Sequence, residues 1–372
     1  MKKSISLILA LMLLVSSLVG CGGAKTEEKK EEAPVAAAPA EEAPAAAPVE
    51  EAPAAKRVAV ICDTIGTNLF LTQVADEMSA KQAELGYEYS MMECADTDEW
   101  QANYEAAAHE GYDLIIGVGW QAAEFAAANA EAGNGATQYA VIDTDAGSDK
   151  VASFAYNEEQ AAFVMGLMAG LAFPEEELYG YVGCFDGPGS WKYRWGFMEG
   201  VKVTNPDAKF TFNWTNSYSD PTNAHEFALQ QHAMGATYIF GGAAACNEGI
   251  FQAALELADK GEYIYSIAQD ADATTEANPY ILSAQLKNTG VTTGIILDKF
   301  YAGTLEGGCT ELKLADGAIG ATWVTNDGAY LNSDILTEDV LNTCKDYVAK
   351  IISGEYPIVL ADEATYQFNI AE

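Results

Sequence analysis

The sequence predicts an α/β protein with two doubly wound lobes and a ligand cleft between them. Short apolar runs rich in Val, Ile, Tyr and Phe alternate with Ala-rich segments at helical spacing, and this alternation starts a second time near the middle of the chain. Alternating strands and helices form parallel sheets with helices on both faces. A little over 300 of the 372 residues follow this pattern, which is more than one hydrophobic core usually contains.

The first round of the alternation predicts five strands and three helices. The strands are Arg57–Cys62, Tyr87–Cys94, Tyr112–Val118, Gln138–Asp143 and Val151–Ala155, and the helices are Phe70–Leu85, Glu99–His109 and Trp120–Ala132. The second round predicts strands at Leu178–Phe185, Lys209–Trp214, Thr237–Gly242, Tyr263–Gln269 and Ile281–Leu286. Its helices are Ala161–Leu171, Tyr193–Val203, Thr222–Met234, Glu248–Lys260 and Val291–Tyr301. We expect lobe 1 to comprise residues 56–155 and about 286–320, and lobe 2 residues 156–285 and about 321–372.

The N-terminal segment has the pattern of a secretory signal. Lys2 and Lys3 precede an apolar run from Ile5 to Val19, which is shorter than the roughly 20 residues of a membrane-spanning helix. Cys21 follows Leu-Val-Gly and resembles the lipidated cysteine of a bacterial lipobox. This resemblance implies cleavage after residue 20 and a diacylglycerol anchor that holds the protein on the outer side of the cell membrane. The alternative is an ordinary signal peptide with a chance cysteine.

Composition restricts the remaining classes of function. Residues 21–55 are almost entirely Ala, Pro, Glu, Lys and Gly, which predicts a disordered tether. A net charge of -36 argues against nucleic acid as a partner, because its phosphates require clustered Lys and Arg. The six cysteines beyond Cys21 permit disulfides, but free thiols are favoured because a chain of this size does not need them.

We expect no metal, no cofactor and no catalysis. The three histidines lack metal-ligand spacing, and no Cys-x-x-Cys pair occurs. Gly117-Val-Gly119 lacks the third glycine of a dinucleotide-binding fingerprint, and the chain contains no Gly-x-Ser-x-Gly and no P-loop. An enzyme on a similar scaffold is therefore the weaker alternative to a binding protein.

Residues that directly follow the predicted strands are the candidates for a ligand site, because open α/β sheets bind ligands at the carboxyl ends of their strands. They combine aromatic rings, carboxylates and one amine, a set that suits a small polar ligand with a flat ring. The candidates are Asn68, Phe70, Trp120, Asp143, Tyr193, Trp214, Asp270 and Lys287. Structural alternatives remain open: the aromatic residues could pack in the core, and the acids could cap helices or form turns.

Several segments resemble, in the same order, those of one family of lipoprotein receptors. They include Tyr112-Asp-Leu-Ile-Ile-Gly-Val-Gly-Trp120, Ala140-Val-Ile-Asp143, Gly166-Leu-Met-Ala-Gly-Leu171 and Lys287-Asn-Thr-Gly290. The family is the basic membrane protein family, or purine nucleoside receptors of ABC transporters, and the resemblance spans nearly all of Arg57–Asn369. It implies two lobes of the type I periplasmic-binding-protein fold that close on a nucleoside, and an ABC permease as partner. We expect a monomer.

The resemblance also implies roles for individual residues. Phe70 falls at the position that stacks on the base, and Asp143 at the acid that contacts it. Tyr193 falls at the aromatic position of lobe 2, with Trp214 as a second candidate. The carboxylate implied for the ribose hydroxyls is that of Asp270, and the lysine near the sugar is Lys287.

The chain departs from the family pattern at three positions in segments expected to border the pocket. Leu71 stands where the family has Asn, and Ala244 and Ala245 stand where it has glycines. Two alternatives therefore stay open beside a nucleoside receptor. One is a lipoprotein receptor for signalling, and the other is a receptor for a sugar or another small metabolite.

Overall fold

A computed structural model of the chain describes residues 55–66, 68–133 and 135–371. The predicted signal peptide, Cys21 and nearly all of the predicted tether lie outside the described residues. Within those residues, no helix is both long enough and apolar enough to cross a membrane.

The described strands and helices alternate along most of the chain, as predicted. The strands are β1 (Arg57–Asp63), β2 (Glu88–Cys94), β3 (Leu114–Val118), β4 (Gln138–Ile142), β5 (Val151–Tyr156), β6 (Leu178–Gly183), β7 (Lys209–Trp214), β8 (Tyr238–Gly242), β9 (Tyr265–Asp270), β10 (Ile281–Lys287), β11 (Gly308–Leu312) and β12 (Ile319–Ala321). The helices are α1 (Leu69–Leu85), α2 (Thr97–Glu110), α3 (Ala122–Ala132), α4 (Glu158–Ala172), α5 (Pro188–Lys202), α6 (Thr222–Ala233), α7 (Asn247–Ala258), α8 (Thr289–Tyr301) and α9 (Glu338–Ser353).

These strands form two six-stranded sheets with matching strand orders. The first sheet has the order β11-β5-β4-β3-β1-β2, and the second has the order β12-β10-β9-β8-β6-β7. All neighbouring strands are parallel except β12, which runs antiparallel to β10. The predicted fold class, two doubly wound α/β units, is confirmed. Because β4 and β9 hold the same place in the two sheets, as do β5 and β10, residues after these strands are structurally equivalent.

Strand β1 shows why the strands read as continuous apolar runs. Val58 and Val60 belong to one buried cluster, whereas Ala59 and Ile61 belong to another. Successive side chains of a strand point to opposite faces of the sheet, and helices cover both faces here. Every position of such a strand is therefore apolar, and a strand of this kind can be predicted without an alternating pattern.

Helices α4 and α5 pack unusually closely on one another. A Cβ atom added at Gly166 would overlap the carbonyl oxygen of Phe197, and one added at Gly200 would overlap the carbonyl oxygen of Phe163. The backbones approach this closely only because glycine has no side chain there. Gly166 and Gly170 thus lie on the face of α4 that contacts α5.

The chain passes between the two sheets at three crossovers. The first follows β5 at Asn157, the second follows β10 at Asn288, and the third joins β11 to β12. Asn157 (φ -92°, ψ 65°) and Asn288 (φ -86°, ψ 75°) have nearly the same backbone conformation. The two equivalent crossovers therefore turn in the same way. One leaves β5 of the first sheet, and the other leaves β10 of the second.

Candidate ligand-binding site

Asp143 and Asp270 stand at equivalent places in the two sheets. Asp143 follows β4 and Asp270 ends β9, and both have left-handed backbone conformations, with φ angles of 73° and 69°. A non-glycine residue rarely adopts this conformation, and such residues cluster at functional sites. The equivalent strands β4 and β9 are therefore each followed or ended by a carboxylate at the carboxyl edge of their sheet.

Lys287, the last residue of β10, lies among these acids. Its Nζ is 2.7 Å from Oδ1 of Asp143 and 3.2 Å from Oε1 of Glu158, and its side chain is only 5% exposed. Burial disfavours the charge on Lys287, but the negative charges of Asp143, Glu158 and Asp270 outweigh burial and hold the pKa of Lys287 well above its ordinary value. The ammonium group therefore stays protonated and is a fixed cation at the carboxyl edges of both sheets.

The carboxyl groups around this cation differ in their affinity for protons. Burial raises the pKa of Asp143 to about 6, against the opposing attraction of Lys287, and the charges of Glu158 and Asp270 add to the rise. Burial also raises the pKa of Asp270, although Lys287 and a hydrogen bond from Tyr193 oppose it. The pKa of Glu158 is lowered, because Lys287 and Lys192 outweigh its burial. Asp143 is thus a group that can take up a proton near neutral pH.

Aromatic rings from both sheets surround the lysine. Nζ of Lys287 lies 5.7 Å from the ring centroid of Phe70, 5.2 Å from that of Tyr156 and 5.6 Å from that of Tyr193. The Tyr193 hydroxyl donates a hydrogen bond of 3.2 Å to Asp270. Phe70 is fixed in turn by Thr289, whose hydroxyl donates to the Phe70 carbonyl at 2.6 Å. Rings, carboxylates and one ammonium group can together bind a flat ring that carries several hydrogen-bonding groups.

The structure brings together five of the eight predicted site residues: Phe70, Asp143, Tyr193, Asp270 and Lys287. Asn68 lies beside this group and caps α1, because its Oδ1 accepts a hydrogen bond from the Phe70 backbone N–H at 3.0 Å. Asn68 therefore caps a helix, a role that the sequence suggested only for the acidic candidates.

The two predicted tryptophans have other surroundings. Trp120 is 62% exposed, and its side chain forms a hydrogen bond with Tyr218. Burial raises the pKa of Tyr218, and this hydrogen bond opposes the rise. The ring centroid of Trp214 lies 5.7 Å from that of Tyr181 and 5.0 Å from Cζ of Arg194. Within the described residues, no recorded contact joins either tryptophan to Lys287. Their roles in ligand binding stay predictions.

Glu158, Lys192 and Tyr156 belong to the same cluster but are absent from the sequence-based candidates. Lys192 donates hydrogen bonds to Oε2 of Glu158 at 2.9 Å and to the Tyr156 carbonyl at 2.6 Å. The positions of Glu158 and Lys287 relative to the strands are the one signal for Glu158. Glu158 comes directly after Asn157, which follows β5, and Lys287 comes directly before Asn288, which follows β10. That equivalence is visible only once the strand order of both sheets is known.

The departures from the family pattern fall in different surroundings. Leu71 is buried with Val74 and Met78 on the core-facing side of α1, and its effect on the pocket stays a prediction. Ala244 lies near the second sheet's carboxyl edge, and its N–H donates to Oε1 of Gln269 at 3.2 Å. It keeps a left-handed φ of 50° although it is not glycine.

Comparison with known proteins identifies the family. A family model described as Bmp, ABC transporter substrate-binding protein PnrA-like, matches residues 58–360. A protein of Listeria innocua named CD4+ T-cell-stimulating antigen is 24% identical over 283 residues, which are 73% of this chain and 76% of that protein. A Pyrococcus abyssi protein named as an uncharacterized lipoprotein is 25% identical over 333 residues, 86% of this chain and 76% of that protein.

A third relative carries a more specific name. The ABC transporter nucleoside-binding protein BmpA of Lactococcus lactis is 22% identical over 290 residues, which are 73% of this chain and 78% of that protein. Among solved structures, ABC transporter solute-binding proteins from Aeropyrum pernix are similar, with a TM-score of 0.71 and 24% identity, covering 83% of this chain and 95% of that chain. The chain belongs to the Bmp family of PnrA-like ABC transporter substrate-binding proteins, whose members bind a small solute and deliver it to a membrane permease.

Proposed function

We propose that this substrate-binding protein takes up a nucleoside between two lobes, each built on one of the two sheets. The observation that carries the proposal is the convergence of Phe70 and Asp143 from the first sheet with Tyr193, Asp270 and Lys287 from the second. A ligand that contacts both groups would couple the sheets, so binding would favour a closed arrangement. The name of the Lactococcus lactis relative, a nucleoside-binding protein, supports a nucleoside as the ligand class.

The proposed orientation places the base between the rings of Phe70 and Tyr193. Stacking on an aromatic ring contributes about 1–3 kcal/mol per base. Asp270 would accept hydrogen bonds from ribose hydroxyls, and Asp143 would accept one from the base. Lys287 already occupies Oδ1 of Asp143 in this structure, so the ligand would bind the other oxygen of Asp143 or displace the ammonium group. The proposal assigns no catalytic role to these residues and requires no cofactor.

The orientation is tested by calorimetry with inosine and its free base, hypoxanthine. Phe70→Ala should weaken the binding of both compounds by about 1–3 kcal/mol, because both stack on the same ring. Asp270→Ala should weaken inosine binding by a similar or larger amount and leave hypoxanthine binding nearly unchanged. Tyr263→Ala is the control, because Tyr263 is 47% exposed and precedes β9 at the opposite edge of the sheet.

Two results would contradict this proposal. Equal losses for inosine and hypoxanthine in Asp270→Ala would remove Asp270 from the sugar. Failure of a panel of nucleosides to raise the melting temperature, while a sugar or another metabolite does raise it, would leave a solute receptor of a different specificity. Co-purification with a signalling protein in place of a permease and its ATPase would favour the signalling alternative.

We also propose that Cys21 carries the lipid that anchors the protein outside the cytoplasmic membrane. The lipobox-like sequence before Cys21 and the lipoprotein name of the Pyrococcus relative support this. Cys21→Ser should release the protein from the membrane fraction or leave the precursor uncleaved. Fractionation and mass spectrometry of the N-terminus provide the measurement. A variant that is still membrane-bound and cleaved after residue 20 would show that the anchor is elsewhere.

A further inference from the structure

A buried ion pair connects the two equivalent crossovers. Glu158 is the first residue of α4, just after the first crossover, and Lys287 is the last residue of β10, just before the second. Their side chains are 7% and 5% exposed, and the charged atoms are 3.2 Å apart. Taking two charges out of water is costly, so a buried pair of this kind is weak evidence for a purely stabilising role.

Glu158 is held from two directions. Its Oε1 faces Lys287 at 3.2 Å, and its Oε2 accepts a hydrogen bond from Lys192 at 2.9 Å. The charges therefore alternate in the order Lys192, Glu158, Lys287 and Asp143, from α5 beside the second sheet to the end of β4 in the first. Glu158 and Asp143 are the two neighbours of Lys287 in this series. The two carboxylates therefore compete for one ammonium group.

We propose that Glu158 is a positioning residue of the ligand site, which, anchored by Lys192, shares the ammonium group of Lys287 and so limits its pairing with Asp143. The consequence is that the Asp143 carboxylate keeps an oxygen available to a ligand. The identity of the ligand rests on the proposed function, but the competition between the two carboxylates is a property of the ligand-free protein.

The groups that face this ammonium come from several elements. They are Asp143 after β4, Tyr156 of β5, Glu158 of α4, Tyr193 of α5 and Asp270 of β9. In the Glu158→Gln variant, Asp143 would lose the repulsion of one negative charge and gain a fuller pairing with Lys287. Both changes lower the pKa of Asp143, which is about 6 in the unaltered site.

The first test measures the unfolding free energy of the full-length protein in detergent between pH 5 and pH 7. Because the pKa of Asp143 is raised by folding, the folded state binds a proton more tightly than the unfolded state, and this group makes the protein more stable as pH falls through about 6. Asp143→Asn removes this component and thereby identifies it. In Glu158→Gln, the midpoint of this Asp143 component, the pH at which half of it is lost, should move to lower pH by about half a unit or more.

Two further variants make this test specific. Lys192→Gln removes one of the two cations that share Glu158, so Glu158 should pair more fully with Lys287 and the Asp143 midpoint should move to higher pH. Lys192 is 30% exposed, so this variant provides the test if Glu158→Gln does not fold. Glu159→Gln is the matched control: Glu159 is the next residue of α4, is also buried, and accepts its hydrogen bond from Asn157 at 2.9 Å. The Asp143 midpoint of the Glu159→Gln variant should equal that of the unaltered protein.

The second test measures the affinity for inosine at pH 7.5. Glu158→Gln should weaken binding by about tenfold, since Lys287 then occupies the carboxylate that the ligand needs, whereas Glu159→Gln should bind as the unaltered protein does. Midpoints that stay unchanged in both Glu158→Gln and Lys192→Gln, or that move in Glu159→Gln to the same extent, would overturn the inference. If the unaltered protein does not bind inosine or any other nucleoside, the proposed function fails, and the pH measurement still decides the role of Glu158.

Discussion

Asp143 and Asp270 adopt a left-handed conformation that most side chains avoid, and they do so at equivalent points of two sheets. A left-handed L-residue costs roughly 1–2 kcal/mol, although Asp tolerates it better than most. At both positions the conformation turns the chain directly after a buried strand and directs a carboxylate toward Lys287. The repetition of the same strained turn in both sheets supports a functional reason for it.

Ala244 adopts the same conformation but has no polar group that could explain it. Replacing Ala244 with glycine should stabilise the protein by about 0.5–1 kcal/mol, because glycine removes the strain of a left-handed Cβ at some cost in unfolded-state entropy. Ala245→Gly is the matched control. Ala245 lies in the same short helical turn but is absent from the residues with positive φ, so glycine should destabilise there. Urea unfolding measures both changes, and a loss of stability in Ala244→Gly would contradict this account.

At the scale of elements, α4, which follows the first crossover, packs closely on α5, which follows β6 of the second sheet. Glu158 begins α4 and Lys192 lies on α5, so the spacing of these two helices sets the geometry of their ion pair. Gly166 and Gly200 allow that spacing, because any side chain there would collide with the backbone of the opposite helix. Packing and the binding site are thus connected through one pair of helices.

Gly166→Ala should therefore destabilise the protein by about 1–3 kcal/mol or more, the usual cost of overpacking a close contact. Gly189→Ala is the control on α5, since a Cβ at Gly189 meets no atom within 4 Å and alanine favours a helix over glycine by up to about 1 kcal/mol. Thermal unfolding of both variants gives the comparison. Equal melting temperatures for the two variants would show that α4 and α5 can separate without cost.

Most elements could be predicted from the sequence because their strands are buried on both faces and their helices have small or apolar faces. Strands β11 and β12 could not, since β11 is short and mostly exposed and β12 has only three residues. Helix α9 was not predicted, although its signals are present: Thr337 caps its first turn and Gly354 ends it in a left-handed conformation.

The candidate site was predictable to a lesser degree. The rule that ligands bind at strand ends identified Asp143, Asp270 and Lys287 correctly as neighbours of one region. It could not predict that Lys287 contacts Asp143, because the two residues are 144 positions apart and belong to different sheets. It also gave no way to separate Trp120, which is largely exposed, from the rings that surround the lysine.

At the scale of the whole molecule, the bond between Lys287 and Asp143 joins the second sheet to the first. The structure therefore contains a contact between the sheets that does not require a ligand. A binding protein that closes on its solute exists as a mixture of open and closed forms, and any contact made only in the closed form shifts that mixture. The Lys287–Asp143 ion pair joins the two sheets in this structure, and we expect its removal to favour opening.

Asp143→Asn tests this, because it removes the charge and keeps a residue type that tolerates a left-handed backbone. Hydrogen exchange measured by mass spectrometry should become about tenfold faster in peptides at the start of α1 and α5, since local opening controls exchange there. Asp63→Asn is the matched control. Asp63 also ends a strand of the first sheet, but its hydrogen bonds stay beside that sheet. It accepts them from Trp100 of α2 at 3.3 Å and from Gln121, just before α3, at 2.9 Å. Exchange in these peptides that is faster in Asp63→Asn than in Asp143→Asn would mean that the sheets are held together by other contacts.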